Sequence, residues 1–252
     1  MSRPDLCGSR DIIESCRVHN QSTGCDTQAQ ILVLKESDID DLCDLQARVF
    51  AAIQNPALYY PETRERLLQS IEQRGLTIAA YVEGRMIAFR SVFYPGEDAS
   101  NLGRDIGMAD PHQLRRVAHL QRTCVAPEFR GNKLQVRMTG YAIERIRQAG
   151  TARYLFSTVA PGNYASIGDK FSNDMSIVRL LRKYETFYRY VFFADISAPL
   201  TIDPATTTPI GAMDIDAQCA RLASDALYVG HNQSRSQGGN VIHYARALRR
   251  FP

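Results

Sequence analysis

The sequence contains no apolar run that approaches the roughly 20 residues a helix needs to cross a bilayer. Its first residues, MSRPDLCGSRDIIES, also lack the apolar segment of a secretory signal. The 30 basic and 27 acidic side chains leave a net charge of +3, so the composition does not predict the concentrated basic face that binds phosphate backbones. We therefore expect a cytoplasmic protein with neither a membrane nor a nucleic acid as its partner.

The cysteines also lack the spacing of a disulfide or metal framework. None of the six lies in a CxxC pair, and a chain of 252 residues can build its core without disulfides. Cys7, Cys16 and Cys25 are evenly spaced, but His19 as the only nearby histidine does not complete a zinc site. We expect free thiols and no bound metal.

The composition is that of a globular protein, with 44% hydrophobic and 23% charged residues. Residues 1–29 are polar without a sustained period, which predicts a flexible leader with one short helix near Asp11–Arg17. Strand and helix patterns fill residues 30–196, which we expect to form one domain. Residues 197–252 are expected to extend that domain and pack on it.

Within this extension, the Pro/Thr-rich residues 199–211 are typical of a linker. A helix is predicted over Asp214–Leu227 and a last strand over Val241–Leu248. In the domain itself the order is strand, two helices, hairpin, strand, helix, strand, helix and second hairpin. This order predicts a mixed sheet flanked by helices, for which both the α/β and the α+β labels can be defended.

The most informative segment is HLQRTCVAPEFRGNKLQVRM, residues 119–138. It is predicted to be the end of a strand (Val117–Val125), a tight turn and a helix that runs from about Lys133 to Ala149. The first turn of a helix has unpaired N–H groups and a partial positive charge, and it therefore suits a pyrophosphate. Arg130 and Lys133 flank this position, although an ordinary strand–helix connection would also explain the pattern.

Two motifs in the chain resemble those of the GNAT acyltransferases. Val125-Ala126-Pro127 followed by Arg130–Gln135 is similar to their acyl-CoA-binding motif, written Gln/Arg-x-x-Gly-x-Gly/Ala after the end of a strand. Asn163-Tyr164-Ala165-Ser166 resembles the second signature, a strand followed by Asn-x-x-Ser/Ala. The resemblance implies the GNAT fold, with a mixed, mostly antiparallel central sheet, and a place in a bacterial group of this superfamily.

The resemblance also implies which residues bind acetyl-CoA, the acyl-donor substrate. The implied positions are Thr123, Cys124, Val125, Arg130, Gly131, Asn132, Lys133, Leu134, Gln135, Asn163 and Ser166. The chain departs from the family pattern at Lys133 and Gln135, where small residues are usual. Lys133 either compensates by placing its ammonium on a phosphate or weakens the binding of coenzyme A.

Catalysis in this family, as the resemblance implies, is direct attack of an amine on the thioester, which is aided by a base. Strand alternation places His119 and Thr123 on one face, near the position where family members carry a catalytic glutamate, so His119 is the candidate base. A packing histidine beside the site is the alternative. Tyr164 and Tyr184 are candidates for the general acid. Cys124 points to the face opposite His119, which argues against a thiol nucleophile.

The expected activity is therefore transfer of an acetyl group from acetyl-CoA to the primary amine of a small molecule, and a homodimer is a candidate assembly. Two alternatives stay open. One is an enzyme similar to N-acyl amino acid synthases that uses longer acyl chains from coenzyme A or acyl-carrier protein. The other is a non-catalytic module that senses acyl-CoA.

Overall fold

The computed structural model describes residues 11–53, 61–71, 74–183 and 187–252. The chain divides into two compact units, Met1–Phe93 with Leu120–Gln148 and Tyr94–His119 with Ala149–Pro252. The strands are β1 (Ile12–Asn20), β2 (Cys25–Val33), β3 (Gly75–Val82), β4 (Arg85–Phe93), β5 (Val117–Val125), β6 (Tyr154–Val159), β7 (Ser176–Lys183), β8 (Phe187–Asp195), β9 (Ile202–Gly211), β10 (Tyr228–Ser236) and β11 (Gly239–Ala247). The helices are α1 (Ile39–Ala51), α2 (Arg64–Gln69), α3 (Pro111–Leu114), α4 (Leu134–Ala149), α5 (Tyr164–Phe171) and α6 (Ile215–Leu222).

The first unit is built on the strand order β1-β2-β3-β4-β5, to which β5 contributes its residues from Leu120 onward. The pairs β1–β2, β2–β3 and β3–β4 are antiparallel. Helix α1 packs against β4 and α2. Its buried residues Leu42, Leu45 and Val49 follow helical spacing, and they turn one apolar face of α1 toward the core.

The leader expected over residues 1–29 is corrected for residues 11–29, which are neither a helix nor an irregular segment, whereas residues 1–10 lie outside the described residues. β1 and β2 form an antiparallel hairpin that pairs from Ile12↔Leu32 to Asn20↔Cys25. Cys16 and Val18 are buried between exposed neighbours, which is the two-residue period of a strand and not the period of a helix. The polar character of the segment belongs to its exposed face. We refer to residues 11–33 below as the amino-terminal hairpin, because the Val33 N–H also donates to the Asp11 carbonyl.

The second unit has the strand order β5-β6-β8-β7-β10-β11-β9, to which β5 contributes its residues up to His119. The pair β5–β6 is parallel and runs from Val117↔Tyr154 to His119↔Phe156. The pairs β6–β8, β7–β8, β7–β10, β10–β11 and β9–β11 are antiparallel. A buried core fills this unit. It includes Leu114, Val117, Phe156, Val178, Val191, Phe193 and Val229.

The carboxyl-terminal extension adds strands to this sheet. β10 meets β7 at Gly230↔Ile177, and β11 pairs with both β10 and β9. A Cβ atom at Gly230 would lie 3.0 Å from Ile177 Cδ1, so glycine allows this close approach. Residues 199–211, for which we expected a linker, mostly form β9. Its prolines are tolerated because β9 is the last strand in the order, where one edge needs no ladder partner.

A buried polar network connects the extension to the sheet of the second unit. The hydroxyl groups of Tyr190 in β8 and Tyr244 in β11 each donate to Gln218 Oε1 of α6 at 2.7 Å. Gln218 Nε2 donates to the carbonyl oxygens of Gly211 and Ala212 at 3.1 and 3.0 Å. All three side chains are fully buried, and burial raises the pKa of both tyrosine hydroxyls.

The described helices include none that is both long and apolar enough to span a membrane.

Candidate functional site

The connection between β5 and α4, residues 126–133, is a tight turn that we call the β5–α4 loop. It begins where the Ala126 N–H donates to the Ile87 carbonyl of β4 at 2.8 Å. Pro127–Phe129 form a 3₁₀ turn, and Gly131 follows with a φ of +86°. Side chains with a Cβ atom are disfavoured in this left-handed region, so glycine suits the position where the chain reverses toward α4.

The loop leads directly into the start of α4. The Arg137 N–H donates to the Lys133 carbonyl at 3.0 Å, so the helical hydrogen bonds begin at this point and the amides just before Arg137 lie in the first turn. Arg130 and Lys133 are exposed beside this turn. The helix end and two cations together provide positive charge where a phosphate group would bind.

Lys133 itself has a φ of +56°, which is the left-handed conformation expected for glycine at this position of the motif. A residue with a side chain pays about 1–2 kcal/mol for this conformation. Lys133 therefore has a backbone conformation that favours glycine, although it carries a side chain. Gln135 differs, because it lies inside α4, where ordinary helical geometry requires no glycine.

The other residues that the resemblance assigns to acyl-CoA binding in this unit lie at the end of β5 and in the first turn of α4. Cys124 and Leu134 are buried, and Val125 is half-buried. Thr123 Oγ1 is buried and has no hydrogen-bond partner among the described residues. Such a hydroxyl is costly unless a ligand or water satisfies it.

His119 lies in the second unit and is 6% exposed. Its Nε2 accepts a hydrogen bond from the Leu102 N–H at 3.0 Å, which places the ring proton on Nδ1. Leu102 begins a 3₁₀ turn whose preceding residue, Asn101, accepts from the Gly103 N–H at 2.8 Å. His119 thus holds the start of this turn, and its Nε2 lone pair is engaged.

The second signature also lies in the second unit, at the start of α5. The Asn163 side chain accepts from the Ser166 N–H at 3.2 Å and so caps the helix. The Tyr164 carbonyl accepts from Gln233 Nε2 of β10 at 2.9 Å. Tyr184, the other candidate acid, lies outside the described residues.

One feature that sequence reasoning missed is a carboxylate on the first unit. Glu62 accepts from Arg122 of β5 at 2.8 Å, and both side chains are about one-fifth exposed. The Gln46 side chain fixes the Glu62 backbone, donating to its carbonyl at 2.9 Å and accepting from its N–H at 3.0 Å. No local signal predicts a pair that is separated by 60 residues.

Among the described residues, no group of three or more His, Cys, Asp or Glu side chains is placed to hold a metal ion.

Known proteins are similar to this chain in sequence pattern and in fold. The family model described as "Acetyltransferase (GNAT) family" matches residues 39–168, which is more than half of the chain. Among curated proteins, no sequence matches significantly.

Solved structures share the fold at low sequence identity. An acetyltransferase of the GNAT family from Streptococcus pneumoniae has a TM-score of 0.51 at 18% identity, covering 67% of this chain and 99% of its own. NAA60 from Arabidopsis thaliana in complex with acetyl-CoA has a TM-score of 0.54 at 14% identity, covering 68% and 99%. Aminoglycoside acetyltransferase AAC(6')-Ib in complex with coenzyme A and kanamycin has a TM-score of 0.51 at 11% identity, covering 67% and 95%.

Proposed function

The chain belongs to the GNAT acetyltransferase family and has its fold, and we propose that it transfers an acetyl group from acetyl-CoA to the primary amine of a small molecule. The observation that carries this proposal is the β5–α4 loop. Its left-handed residues Gly131 and Lys133 lead into the first turn of a 16-residue helix, beside exposed Arg130. Backbone amides, the helix end and two cations suit the pyrophosphate of coenzyme A.

In this scheme, acetyl-CoA lies with its pyrophosphate at the β5–α4 loop and its pantetheine arm along residues 123–125 of β5. The Thr123 hydroxyl, which has no hydrogen-bond partner in the part of the chain that the structure describes, would gain one from the pantetheine amides. Asn132, Leu134 and Gln135 belong to the same segment.

The reaction proposed is direct attack within a ternary complex. The amine nitrogen forms a bond to the thioester carbonyl carbon, the carbon–sulfur bond breaks, and coenzyme A leaves as its thiolate. The amine loses one proton and the thiolate gains one. The bond from Leu102 to His119 Nε2 supports a positioning role for His119 in place of the base expected from the sequence. The amine proton then passes to water, and Tyr164 or Tyr184 is the candidate donor to the thiolate.

The small-molecule acceptor is supported by one of the solved structures. The kanamycin complex names an aminoglycoside, which is a small polyamine, as what that protein binds.

A second donor class is favoured by one observation: Lys133 and Gln135 replace the small residues of the motif, which would suit a donor other than acetyl-CoA. Longer acyl-CoA and acyl-carrier protein are therefore included in the test below.

The test combines binding with turnover. Calorimetric titration with coenzyme A, acetyl-CoA, a long-chain acyl-CoA and acyl-carrier protein would rank the donors, and a panel of polyamines, amino acids and amino-terminal peptides would rank the acceptors. Because Cys25 is exposed, coenzyme A release should be followed by mass spectrometry and not by a thiol reagent. Binding without release for any amine would favour a sensor, and failure to bind any donor would refute the proposal.

Thr123→Val gives a sharper test of the donor position. Without ligand, replacing a buried hydroxyl that has no partner by a methyl group should leave the free energy of unfolding unchanged or raise it by up to about 1 kcal/mol. Acetyl-CoA affinity should fall roughly three- to tenfold if the hydroxyl contacts the pantetheine arm. Thr123→Ser keeps the hydroxyl and is the matched control. Equal affinities for all three proteins would remove Thr123 from the site.

A further inference from the structure

The turn of the amino-terminal hairpin contacts the β5–α4 loop directly. The Gln21 backbone N–H donates to the Glu128 carbonyl at 2.8 Å, and Gln21 Nε2 donates to the Arg130 carbonyl, also at 2.8 Å. The approach is close, since a Cβ atom at Gly131 would lie 3.3 Å from Gln21 Nε2. Gln21 alone thus bonds to the loop at two residues, Glu128 and Arg130, before the chain reverses at Gly131.

Asn132 makes the next connection along the loop. Its Oδ1 accepts from the His19 N–H at 2.7 Å, and its Nδ2 donates to the His19 carbonyl at 2.8 Å, much as a neighbouring strand would. Nδ2 also donates to the Phe129 carbonyl at 2.9 Å. The side-chain donors of Asn132 are therefore directed to protein and not to a ligand, although the resemblance implied a role in binding acyl-CoA.

β1 also braces the helix that follows. Glu14 accepts hydrogen bonds from Arg137 and Tyr141, which lie one turn apart on α4. Asp11 pairs with Arg145 at 2.6 Å. The hairpin is thus bonded to both sides of Lys133, to the loop through Gln21 and His19 and to α4 through Glu14 and Asp11.

This bracing explains how a lysine persists in a conformation that favours glycine. A strained backbone is retained only where the surrounding structure over-determines it. The chain is bonded to the hairpin at Asn132, just before Lys133, and again at Arg137, four residues after it. The hairpin lies outside the 39–168 match to the family.

We propose that the amino-terminal hairpin is a positioning element that holds the β5–α4 loop in its anion-binding conformation, in place of the glycine missing at position 133. Gln21 and Asn132 are its positioning residues. The inference has a structural half and a functional half. The structural half is that the hairpin orders the loop. The functional half, which rests on the proposed function, is that the hairpin thereby sets the affinity for coenzyme A.

The structural half is tested by amide hydrogen exchange on the unliganded full-length protein. In Gln21→Ala, residues 129–136 should exchange faster than in the wild type, whereas the rest of α4 should keep its protection. Arg17→Ala is the matched control, because Arg17 is a mostly exposed residue of the same hairpin and pairs with Asp26 inside it. Asn132→Ala provides an independent second variant. Unchanged exchange of the loop in both variants overturns the inference, whatever the protein binds.

The functional half is tested by a double-mutant cycle with coenzyme A titrated calorimetrically. Gln21→Ala should weaken binding roughly three- to tenfold when Lys133 is present, from the loss of one hydrogen bond and of loop order. In the Lys133→Gly background the same change should cost less than about twofold, because glycine adopts the left-handed conformation unaided. The donor KM should rise in Gln21→Ala while kcat and the acceptor KM stay unchanged.

The outcomes separate the two proposals. An equal loss in both backgrounds, or no loss in either, overturns the inference that the hairpin replaces the glycine. If the wild type binds neither coenzyme A nor any acyl-CoA, the proposed function fails instead, and the exchange experiment still decides whether the hairpin orders the loop.

Discussion

Replacing Lys133 by glycine and by methionine separates two properties of that residue. Its side chain is exposed beside the first turn of α4, and its φ is +56°. Lys133→Gly removes both the charge and the steric cost of the left-handed backbone. Lys133→Met removes the charge but keeps the Cβ atom and much of the length of the side chain. The pair therefore tests whether this lysine compensates for the missing glycine or only interferes.

The expected stabilities follow from the backbone. Relief of the left-handed conformation contributes about 1–2 kcal/mol, whereas glycine makes the unfolded chain freer at a cost of about 0.5–1 kcal/mol. Lys133→Gly should therefore raise the free energy of unfolding by about 0.5–1 kcal/mol. Lys133→Met keeps the strain and should stay within about 0.5 kcal/mol of the wild type. Denaturant unfolding of the unliganded proteins measures both differences.

The expected affinities follow from the charge. An ammonium group on an exposed phosphate contributes about 1 kcal/mol, so both variants should bind coenzyme A roughly three- to tenfold more weakly than the wild type. The difference should shrink as the ionic strength rises, because salt screens exposed charges. Calorimetric titration at low and high salt would measure this.

Three results would refute this reasoning. Wild-type affinity in Lys133→Met would mean that the ammonium does not contact the ligand. Tighter binding by Lys133→Gly than by the wild type would mean that the lysine hinders coenzyme A. Stability in Lys133→Gly no greater than in Lys133→Met would mean that the left-handed backbone carries no appreciable strain.

Two further predictions concern the second unit. Gln218→Ala leaves the buried hydroxyls of Tyr190 and Tyr244 without their shared acceptor. The free energy of unfolding, measured by denaturant titration, should therefore fall by roughly 3 kcal/mol or more. A loss below about 1 kcal/mol, similar to that of an exposed glutamine changed to alanine, would contradict the network. Burial, with a smaller effect of nearby His243, lowers the pKa of His231, so the folded protein takes up this proton less readily than the unfolded chain. Stability should therefore fall as the pH drops below about 6.5, and His231→Gln should reduce that slope between pH 7.5 and 5.5; identical slopes would exclude His231 as a source.

The elements that sequence reasoning predicted best are those whose signals are local. The predicted bounds of β5 (Val117–Val125) are confirmed, and α4 begins at Leu134, one residue from the expected start. Apolar runs and helical spacing record burial directly, and the Arg130-Gly131 turn marks the break between strand and helix. These features also sufficed to identify the family.

Two segments were assigned wrongly because their partners are distant in sequence. The polar composition of residues 12–20 predicts a leader, but these residues form a strand. This strand bonds to α4 and to the β5–α4 loop, which lie more than 100 residues away in the sequence. Residues 202–211 read as a linker because of their prolines, yet they form the last strand in the order, where proline is tolerated. The local composition of these two segments does not indicate which distant segments they contact.

The sequence alone thus determined the family, the fold of its core and the location of the turn between β5 and α4 that we propose as the anion site, because glycine, spacing and charge act over a few residues. Only the tertiary structure decided what the individual side chains of that site do. It shows that Nε2 of His119 accepts from a backbone amide, that the Asn132 side chain bonds to the amino-terminal hairpin, and that Lys133 adopts a glycine-like backbone. These roles depend on hydrogen bonds between segments that fold together, and no local pattern specifies which partner a polar side chain meets.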